Sequence, residues 1–131
     1  MIKDLDRAAL EAFFEAIPIR MTIVDANNNI QGMNTAAWTR INVDVAERVG
    51  KSILDCHSPE SAASVLKLIE DLKSGKETVI KKTFQPEDSQ KAFQELYTPI
   101  RERDGRYLGT LHLMYDISEE FRLRRELEKL T

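Results

Sequence analysis

The 131-residue sequence has a single cysteine, four prolines and no long apolar run. One cysteine excludes an internal disulfide framework and is typical of a reducing compartment. The apolar runs fall far short of the ~20 residues that span a bilayer, and the N-terminus lacks the apolar core of a signal peptide. We therefore expect a soluble, cytoplasmic protein with no membrane segment.

The sequence also lacks an excess of charge of either sign. Its 19 basic and 22 acidic residues are interspersed and give a net charge of −3. A nucleic-acid-binding surface requires a basic face, so the charge pattern argues against a nucleic-acid partner. A chain of this length is expected to form one domain that buries roughly two-thirds of its unfolded surface.

The motifs of common enzyme classes are missing as well. The chain contains no phosphate-binding loop and no GxGxxG fingerprint. The serines near His57 do not stand in a nucleophile-elbow spacing. Cys56 and His57 together are too few for a zinc site, which requires four ligands. We expect a protein that is not an enzyme.

Apolar periodicity and turn residues predict the order of the elements. The Asp104-Gly105 pair is a strong hairpin signal between the last two strands. The predicted helices span 3–17, 34–42, 43–48 and 59–73, with a terminal helix from residue 118, and the predicted strands span 19–25, 30–33, 78–84, 92–102 and 107–117.

The helix predicted over 59–73 has the clearest boundaries. Ser58 is a suitable N-cap, Pro59 suits the first helical position, and Gly75 suits a left-handed C-cap. The sequence predicts that this helix buries one stripe of apolar side chains: Ala62, Val65, Leu66, Ile69 and Leu72.

Two early strands and three late strands, separated by helices, predict one antiparallel sheet of five strands. The helical segment then covers one face of the sheet, and a pocket is expected between them. The predicted fold class is α+β, with a single domain over 1–131. It divides into an N-terminal flanking helix (1–17), a core (18–117) and a C-terminal helix (118–131).

Four stretches together resemble the PAS domain family over nearly the whole chain. The last of them includes Asp116-Ile117-Ser118, which is similar to the Asp-Ile-Thr/Ser element that leads from a PAS core into a signalling helix. The stretches are EAIPIRMTIVDANNNIQGMN (15–34), VGKSILDCHSPES (49–61), LIEDLKSGK (68–76) and RERDGRYLGTLHLMYDISE (101–119).

The turn around Cys56 and His57 resembles one PAS subgroup in particular. In that subgroup a Cys-His-Pro-Pro turn begins the long helix, and the domain is often attached to a hemerythrin-like module. The 131 residues have Ser58 in place of the first proline and include no hemerythrin-like segment. The resemblance implies a PAS fold and a sensory role, with haem, flavin, a small metabolite or no ligand in the pocket.

The resemblance places the expected cofactor-binding pocket between the sheet and helix 59–73. Strand parity alone leaves open whether His112 and Met114 or Leu111 and Leu113 face it. The other expected lining residues are Met33, Trp38, Ile53, Leu54, Cys56, His57, Val65 and Ile69.

His57 is the expected axial ligand if the pocket holds haem, which is the leading cofactor candidate. Haem iron accepts one neutral imidazole, and an adjacent helix N-terminus disfavours protonation of the ring. The alternative is that His57 caps the helix through a backbone hydrogen bond. His112 supplies a distal partner only if its face turns to the pocket.

Cys56 has two interpretations. Near a helix N-terminus, its thiol could have a lowered pKa and act as a redox sensor. More commonly, a lone cysteine at such a turn is a small buried hydrophobic residue. The NCRFLQ-like motif of photoactive flavin PAS domains is absent, which argues against covalent flavin photochemistry.

The sequence therefore predicts a sensory and dimerisation module that acts in signal transduction. An event in the pocket is expected to shift residues 111–117 and then the helix starting at Ser118. The predicted homodimer uses residues 3–17 and the terminal helix, with a possible downstream signalling domain or protein. Three alternatives stay open: a haem-based gas or redox sensor, a sensor of a small metabolite or lipid, and a ligand-free protein–protein module. The terminal helix predicts either a longer signalling helix or a minimal stand-alone protein.

Overall fold

A computed structural model describes residues 2–41, 45–87 and 89–131, and for residues 40, 41, 45, 46 and 56 it describes the backbone alone. The helices are α1 (Arg7–Ala16), α2 (Thr35–Ile41), α3 (Val45–Arg48), α4 (Pro59–Ser74) and α5 (Ser118–Lys129), with a 3₁₀ turn at Ile53–Cys56. The strands are β1 (Arg20–Asp25), β2 (Ile30–Met33), β3 (Ile80–Phe84), β4 (Phe93–Arg101) and β5 (Tyr107–Asp116). Part of the segment predicted as helices 34–42 and 43–48 lies outside the described residues.

The strands form one antiparallel sheet in the order β2-β1-β5-β4-β3, which confirms the prediction of a five-stranded α+β fold. The β4–β5 hairpin turns at Asp104-Gly105, where Gly105 has a φ of 93° that favours glycine. The hairpin pairs Tyr97 with His112, and the register shifts once near the turn, at Ile100/Arg101. The hairpin therefore sets which side chains of β4 and β5 lie side by side.

Helix α4 begins and ends where the sequence indicates. The Ser58 side chain accepts a hydrogen bond from the Ser61 N–H, Pro59 occupies the first position, and Gly75 ends the helix in the left-handed conformation. The residues that α4 buries are Val65, Leu68, Ile69 and Leu72. The prediction was wrong for Leu66, which is 41% exposed, because it lies one residue, or about 100°, away from the buried stripe.

The apolar core lies between α4 and the centre of the sheet. Its buried members also come from β1, β2 and the 3₁₀ turn, and partly buried side chains, including Tyr97, complete it. The buried cluster consists of Val24, Ile30, Ile53, Val65, Leu68, Ile69 and Leu72.

A buried asparagine holds the N-terminal elements together. Asn34 is fully buried, and its Oδ1 accepts from the Met21 and Ala37 N–H groups. Its Nδ2 donates to the carbonyls of Ile17 and Ile19. One side chain thus satisfies four backbone groups in the α1–β1 connection, β1 and the first turn of α2.

The flanking helices bury little apolar surface. Helix α1 starts later than the predicted residue 3, because the Asp6 side chain caps it by accepting from the Ala9 N–H. None of the side chains in α1 or α5 is fully buried. Phe13 on α1 and Leu127 on α5 are 56% and 65% exposed. Among the helices of the described residues, none combines the length and apolar character needed to cross a bilayer.

Candidate functional site: a cleft beside the N-terminal half of α4

The strand register determines which side chains of the sheet face α4. Tyr97 packs against the α4 core cluster and lies directly opposite His112. Met114 lies opposite Glu95, two residues along each strand and therefore on the same face. Of the two alternatives from strand parity, His112 and Met114 are thus on the α4 face, and Leu111 and Leu113 are on the other face.

A cleft of about 480 Å³ separates the N-terminal half of α4 from strands β3 and β4. We call it the α4–β4 cleft. Unlike the apolar core next to it, it is lined mainly by polar and charged groups from both elements. Its lining residues are His57, Glu60, Ser61, Ser64, Val65, Lys82, Phe84, Glu95 and Tyr97.

Three side chains of the sheet form a hydrogen-bonded group, and two of them, Glu95 and Tyr97, line the cleft. The Tyr97 hydroxyl donates to Glu95 Oε1 over 3.3 Å, and His112 Nε2 lies 3.1 Å from the same oxygen. Because a carboxylate oxygen accepts, the His112 proton is on Nε2. The Tyr97 and His112 rings stack with centroids 4.4 Å apart and nearly parallel planes.

This arrangement favours a charged Glu95. The hydrogen bond from His112 is the largest influence on the pKa of the Glu95 carboxyl and lowers it from its ordinary 4.5, although partial burial acts in the opposite direction. For Tyr97, burial is the main cause, and the neighbouring Glu95 charge adds to it, so the pKa of the phenol rises above its ordinary range. At neutral pH the cleft therefore contains a carboxylate and a neutral phenol.

His57 follows the 3₁₀ turn and borders the cleft. Its side chain is exposed, and Nδ1 lies 2.9 Å from the carbonyl oxygen of Ile53. A carbonyl only accepts, so Nδ1 carries a proton, and in the neutral ring Nε2 is an acceptor. This hydrogen bond joins His57 to the 3₁₀ turn and does not cap α4, whose N-cap is Ser58.

Comparisons with known proteins agree with this architecture. A protein-family profile described as PAS domain matches residues 10–118. The chain belongs to the PAS domain family. A search of curated proteins finds no match.

Solved structures share the fold of this PAS domain at low sequence identity. The C-terminal domain of a Streptococcus mutans protein is 24% identical with a TM-score of 0.77, and the match covers 94% of this chain and 95% of that one. A sensory box sensor histidine kinase from Vibrio cholerae is 21% identical with a TM-score of 0.63, over 85% and 91%. The phage VqmA–DPO complex is 20% identical with a TM-score of 0.68, over 94% of this chain and 58% of that one.

The predicted site residues of the PAS domain fall into separate places. Only His57 and Val65 line the α4–β4 cleft. Ile53 and Ile69 are in the buried core, and Met33 and Leu54 pack against it. Trp38 is half-buried on α2, and the side chain of Cys56 lies outside the described side chains.

The two β5 residues of the predicted site also separate. His112 binds Glu95, which lines the α4–β4 cleft, whereas Met114 lines a second cavity of about 340 Å³. There the Arg20 guanidinium lies over the Phe93 ring, and its Nη1 is 3.6 Å from the Met114 sulfur. His112 and Met114 therefore share a face of the sheet, as the sequence grouped them, but they lie next to different cavities.

The sequence analysis missed Glu95, Tyr97 and Lys82. A signal for them was available in the Asp104-Gly105 turn. In a hairpin with a two-residue turn, the residue numbers of every directly opposed pair add up to the same value. A turn at Asp104-Gly105 therefore places His112 opposite Tyr97 and Met114 opposite Glu95. The observed pairing away from the turn follows this rule.

The α4–β4 cleft does not fit a haem. His57 meets one requirement, because a metal-bound histidine usually donates its other ring N–H to a backbone carbonyl or a carboxylate. A haem macrocycle also needs apolar contacts over both faces. Val65, Phe84 and the Tyr97 ring supply little of this, because two carboxylates, an ammonium and two serines make up most of the lining. Within the described side chains, no group of three or more His, Cys, Asp or Glu could hold a metal ion.

Proposed function

We propose that this PAS domain is a sensory and dimerisation module for signal transduction, without enzymatic activity, that binds a small ligand in the α4–β4 cleft. The observation that carries the proposal is the cleft itself. It opens between α4 and the sheet, where the sequence predicted a pocket, and both elements line it. Binding pockets combine apolar walls with a few polar groups that orient the ligand, and this cleft has both.

A route from the cleft to the C-terminal helix supports the sensory role. Glu95 and Tyr97 of the cleft are on β4, which begins one residue after Ala92. The Ala92 N–H donates to Ser118 Oγ over 3.0 Å, and the Ile117 N–H donates to the Ala92 carbonyl over 2.8 Å. A shift of β4 caused by a ligand would therefore reach the first residue of α5 directly.

Exposed apolar side chains on the flanking helices support dimerisation. Leu10 and Phe13 on α1, and Leu123 and Leu127 on α5, are each more than 40% exposed. They lie three and four residues apart, so each pair shares a helix face. We propose a homodimer through these two helices, with a downstream signalling domain or protein as the recipient of the signal.

Other features support finer assignments. The Cys56-His57-Ser58-Pro59 turn supports the subgroup with a Cys-His-Pro-Pro turn, and the lone cysteine supports a cytoplasmic location. A PAS-fold relative solved as a complex with DPO supports a small-molecule ligand.

The ligand proposal is tested by titrating the ¹⁵N-labelled protein with mixtures of soluble metabolites and recording amide chemical shifts. A binding mixture is expected to shift the amides of Val65, Lys82 and Tyr97. Ser64→Phe fills the cleft and should abolish these shifts. Glu70→Phe, exposed on the same helix but outside the cleft, should keep them. If no mixture shifts these amides, the ligand-free interaction module is the correct alternative.

The dimer is tested by analytical ultracentrifugation. Leu10→Glu combined with Phe13→Glu places two charges on the apolar face of α1 and should shift the protein to a monomer. Ala8→Glu, on another face of α1, is the control and should leave the mass unchanged. A wild-type protein that is already monomeric at micromolar concentration would contradict the proposal.

A haem-based sensor with His57 as axial ligand is the second candidate. It is favoured by His57 Nε2, which has no hydrogen bond within the described residues, and opposed by the polar lining of the cleft. The visible spectrum of protein from cells supplied with iron and a haem precursor separates the candidates. We expect no Soret band in the wild type. A Soret band that disappears in His57→Ala would instead establish the haem sensor.

A further inference from the structure

Within the described residues, one carboxylate oxygen of Glu95 has no hydrogen-bond partner. Oε1 accepts from both Tyr97 and His112. No hydrogen bond within the described part of the chain uses Oε2. The side chain is only 19% exposed and lines the cleft. A charged oxygen held at the floor of a cleft, away from most of the solvent, gains from a hydrogen-bond donor on a ligand.

The protein does not supply that donor from the neighbouring strand. Lys82 is the direct partner of Glu95 in the β3–β4 register. Among the described residues, however, no ion pair joins its ammonium to Glu95 within 4.0 Å, and the only ion-pair partner of Glu95 is His112. Its charge still contributes to keeping Glu95 ionised. Among the described residues, Oε2 is thus left without a cationic partner, and its side chain lines the cleft.

Most other polar atoms around the cleft also accept hydrogen bonds. In the neutral ring, His57 Nε2 is an acceptor, because Nδ1 carries the proton that binds the Ile53 carbonyl. Glu60 adds a second carboxylate. With two carboxylates and one ammonium, the cleft has a net negative charge when His57 is neutral. The complementary ligand is a cationic donor.

The cleft also limits the rest of the ligand. Val65, Phe84 and the Tyr97 ring supply apolar surface beside the polar groups. A volume of about 480 Å³ admits a metabolite with a ring or a short hydrocarbon attached to its charged group.

We propose that the α4–β4 cleft binds a small organic amine or amidine whose cationic N–H group pairs with Glu95 Oε2. This inference rests on the proposed function and specifies its ligand class. A cation at Oε2 binds the carboxylate whose other oxygen, Oε1, accepts from His112, so ligand binding acts on a contact between β4 and β5. That contact lies on the strand that leads to Ala92 and Ser118, which gives the ligand a direct effect on α5.

Three compounds with one skeleton test the ligand class: tyramine, tyrosol and 4-hydroxyphenylacetate, which end in an ammonium, a hydroxyl and a carboxylate. Benzamidine represents the amidine type. Binding is measured by isothermal titration calorimetry and by amide shifts of Val65, Lys82 and Tyr97. We expect tyramine to bind at least about tenfold more tightly than tyrosol, the equivalent of one charge-assisted pair, and 4-hydroxyphenylacetate to bind most weakly.

Two variants connect the preference to Glu95. Glu95→Gln keeps the shape of the side chain and should reduce the preference for tyramine over tyrosol to less than about twofold. Lys82→Met removes the competing ammonium and should strengthen tyramine binding several-fold. Tyramine binding should also weaken as the salt concentration rises from 0.05 to 0.5 M, because salt screens the attraction between the ammonium and the Glu95 carboxylate.

The outcomes separate this inference from the proposed function. If the carboxylate binds best, or if Glu95→Gln keeps the amine preference, the amine inference is wrong and the ligand cleft remains. If neither tyramine nor benzamidine binds while a metabolite mixture gives shifts that Ser64→Phe abolishes, the same conclusion holds. If no compound or mixture shifts the cleft amides, both proposals are wrong.

Discussion

The two halves of α4 face the same sheet but form opposite kinds of contact. The C-terminal half, with Leu68, Ile69 and Leu72, packs in the apolar core with Val24 of β1 and Ile30 of β2. The N-terminal half, with Ser61 and Ser64, stands over a polar cleft. One helix thus supplies both the stability of the domain and its candidate binding site, because packing at one end fixes the position of the other.

The largest test of this contrast uses two leucines of α4. Leu72 is completely buried, so Leu72→Ala removes core contacts and leaves a cavity, and it should lower the free energy of unfolding by about 3 kcal/mol. Leu66→Ala makes the same chemical change at an exposed position and should cost less than about 1 kcal/mol. Urea unfolding measures both. Equal losses would show that the apolar end is not the closed half of the interface.

A smaller loss of stability is expected from the side chain that binds the C-terminus of α4. Arg101 Nη2 donates to the carbonyls of Leu72 and Lys73, each over 2.9 Å, at the C-terminus of α4. Arg101→Ala leaves these carbonyls without their charged partner and should cost about 1–2 kcal/mol. Arg106→Ala removes only an exposed ion pair with Glu102 and should cost less than about 0.5 kcal/mol. A loss in the control as large as that of Arg101→Ala would contradict this role.

At the cleft end of α4, stability should depend on pH through the ionisation of Glu95. The pKa of Glu95 is lowered in the folded protein, mainly by the hydrogen bond from His112. Its ionised form therefore stabilises the fold above about pH 4.5, and this contribution is lost as the pH falls through the lowered pKa. Between pH 7 and pH 3 the wild type should lose more unfolding free energy than Glu95→Gln does.

Tyr97→Phe is the graded control for this pH effect. It removes a smaller influence on the Glu95 pKa than His112 exerts, so it should retain most of the wild-type dependence. Chemical denaturation at a series of pH values gives all three curves. Parallel curves for the wild type and Glu95→Gln would show that the carboxylate is not specifically stabilised in the fold.

The smallest effect is expected at Ser64, an exposed position on the cleft side of α4. Ser64→Ala should leave stability unchanged or raise it by up to about 0.5 kcal/mol, since alanine is the better helix former. The adjacent Val65→Ala, on the buried stripe, should destabilise by about 1–2 kcal/mol. Comparable losses at the two positions would mean that the cleft side of α4 is packed.

Local signals predicted the elements well and the buried surfaces less well. Ser58, Pro59 and Gly75 determine the ends of α4 through hydrogen bonds and dihedral angles within a few residues, and each is readable in the sequence. Leu66 was assigned to the core because the helical periodicity of the apolar residues fits more than one face of α4. The position of the sheet then decides that the buried face is the one that contains Leu68.

The roles of polar side chains that contact residues distant in sequence could not be predicted from the apolar pattern. Asn34 binds backbone groups up to 17 residues away, and the sequence contains no sign of that burial. His57 was expected in the pocket because of its place before α4. Its exposure depends on how far the helix start stands from β3 and β4, which is a tertiary quantity.

By itself, the sequence determined the order of helices and strands, the caps of α4, the β4–β5 turn and the family. These features depend on backbone preferences and side chains close together along the chain. Only the tertiary structure decided that one half of α4 packs while the other stands over a cleft, and that Glu95 meets His112 there. The burial of a side chain and its ion pairs both depend on residues that are distant in sequence. They are therefore defined only once the sheet and α4 have assembled.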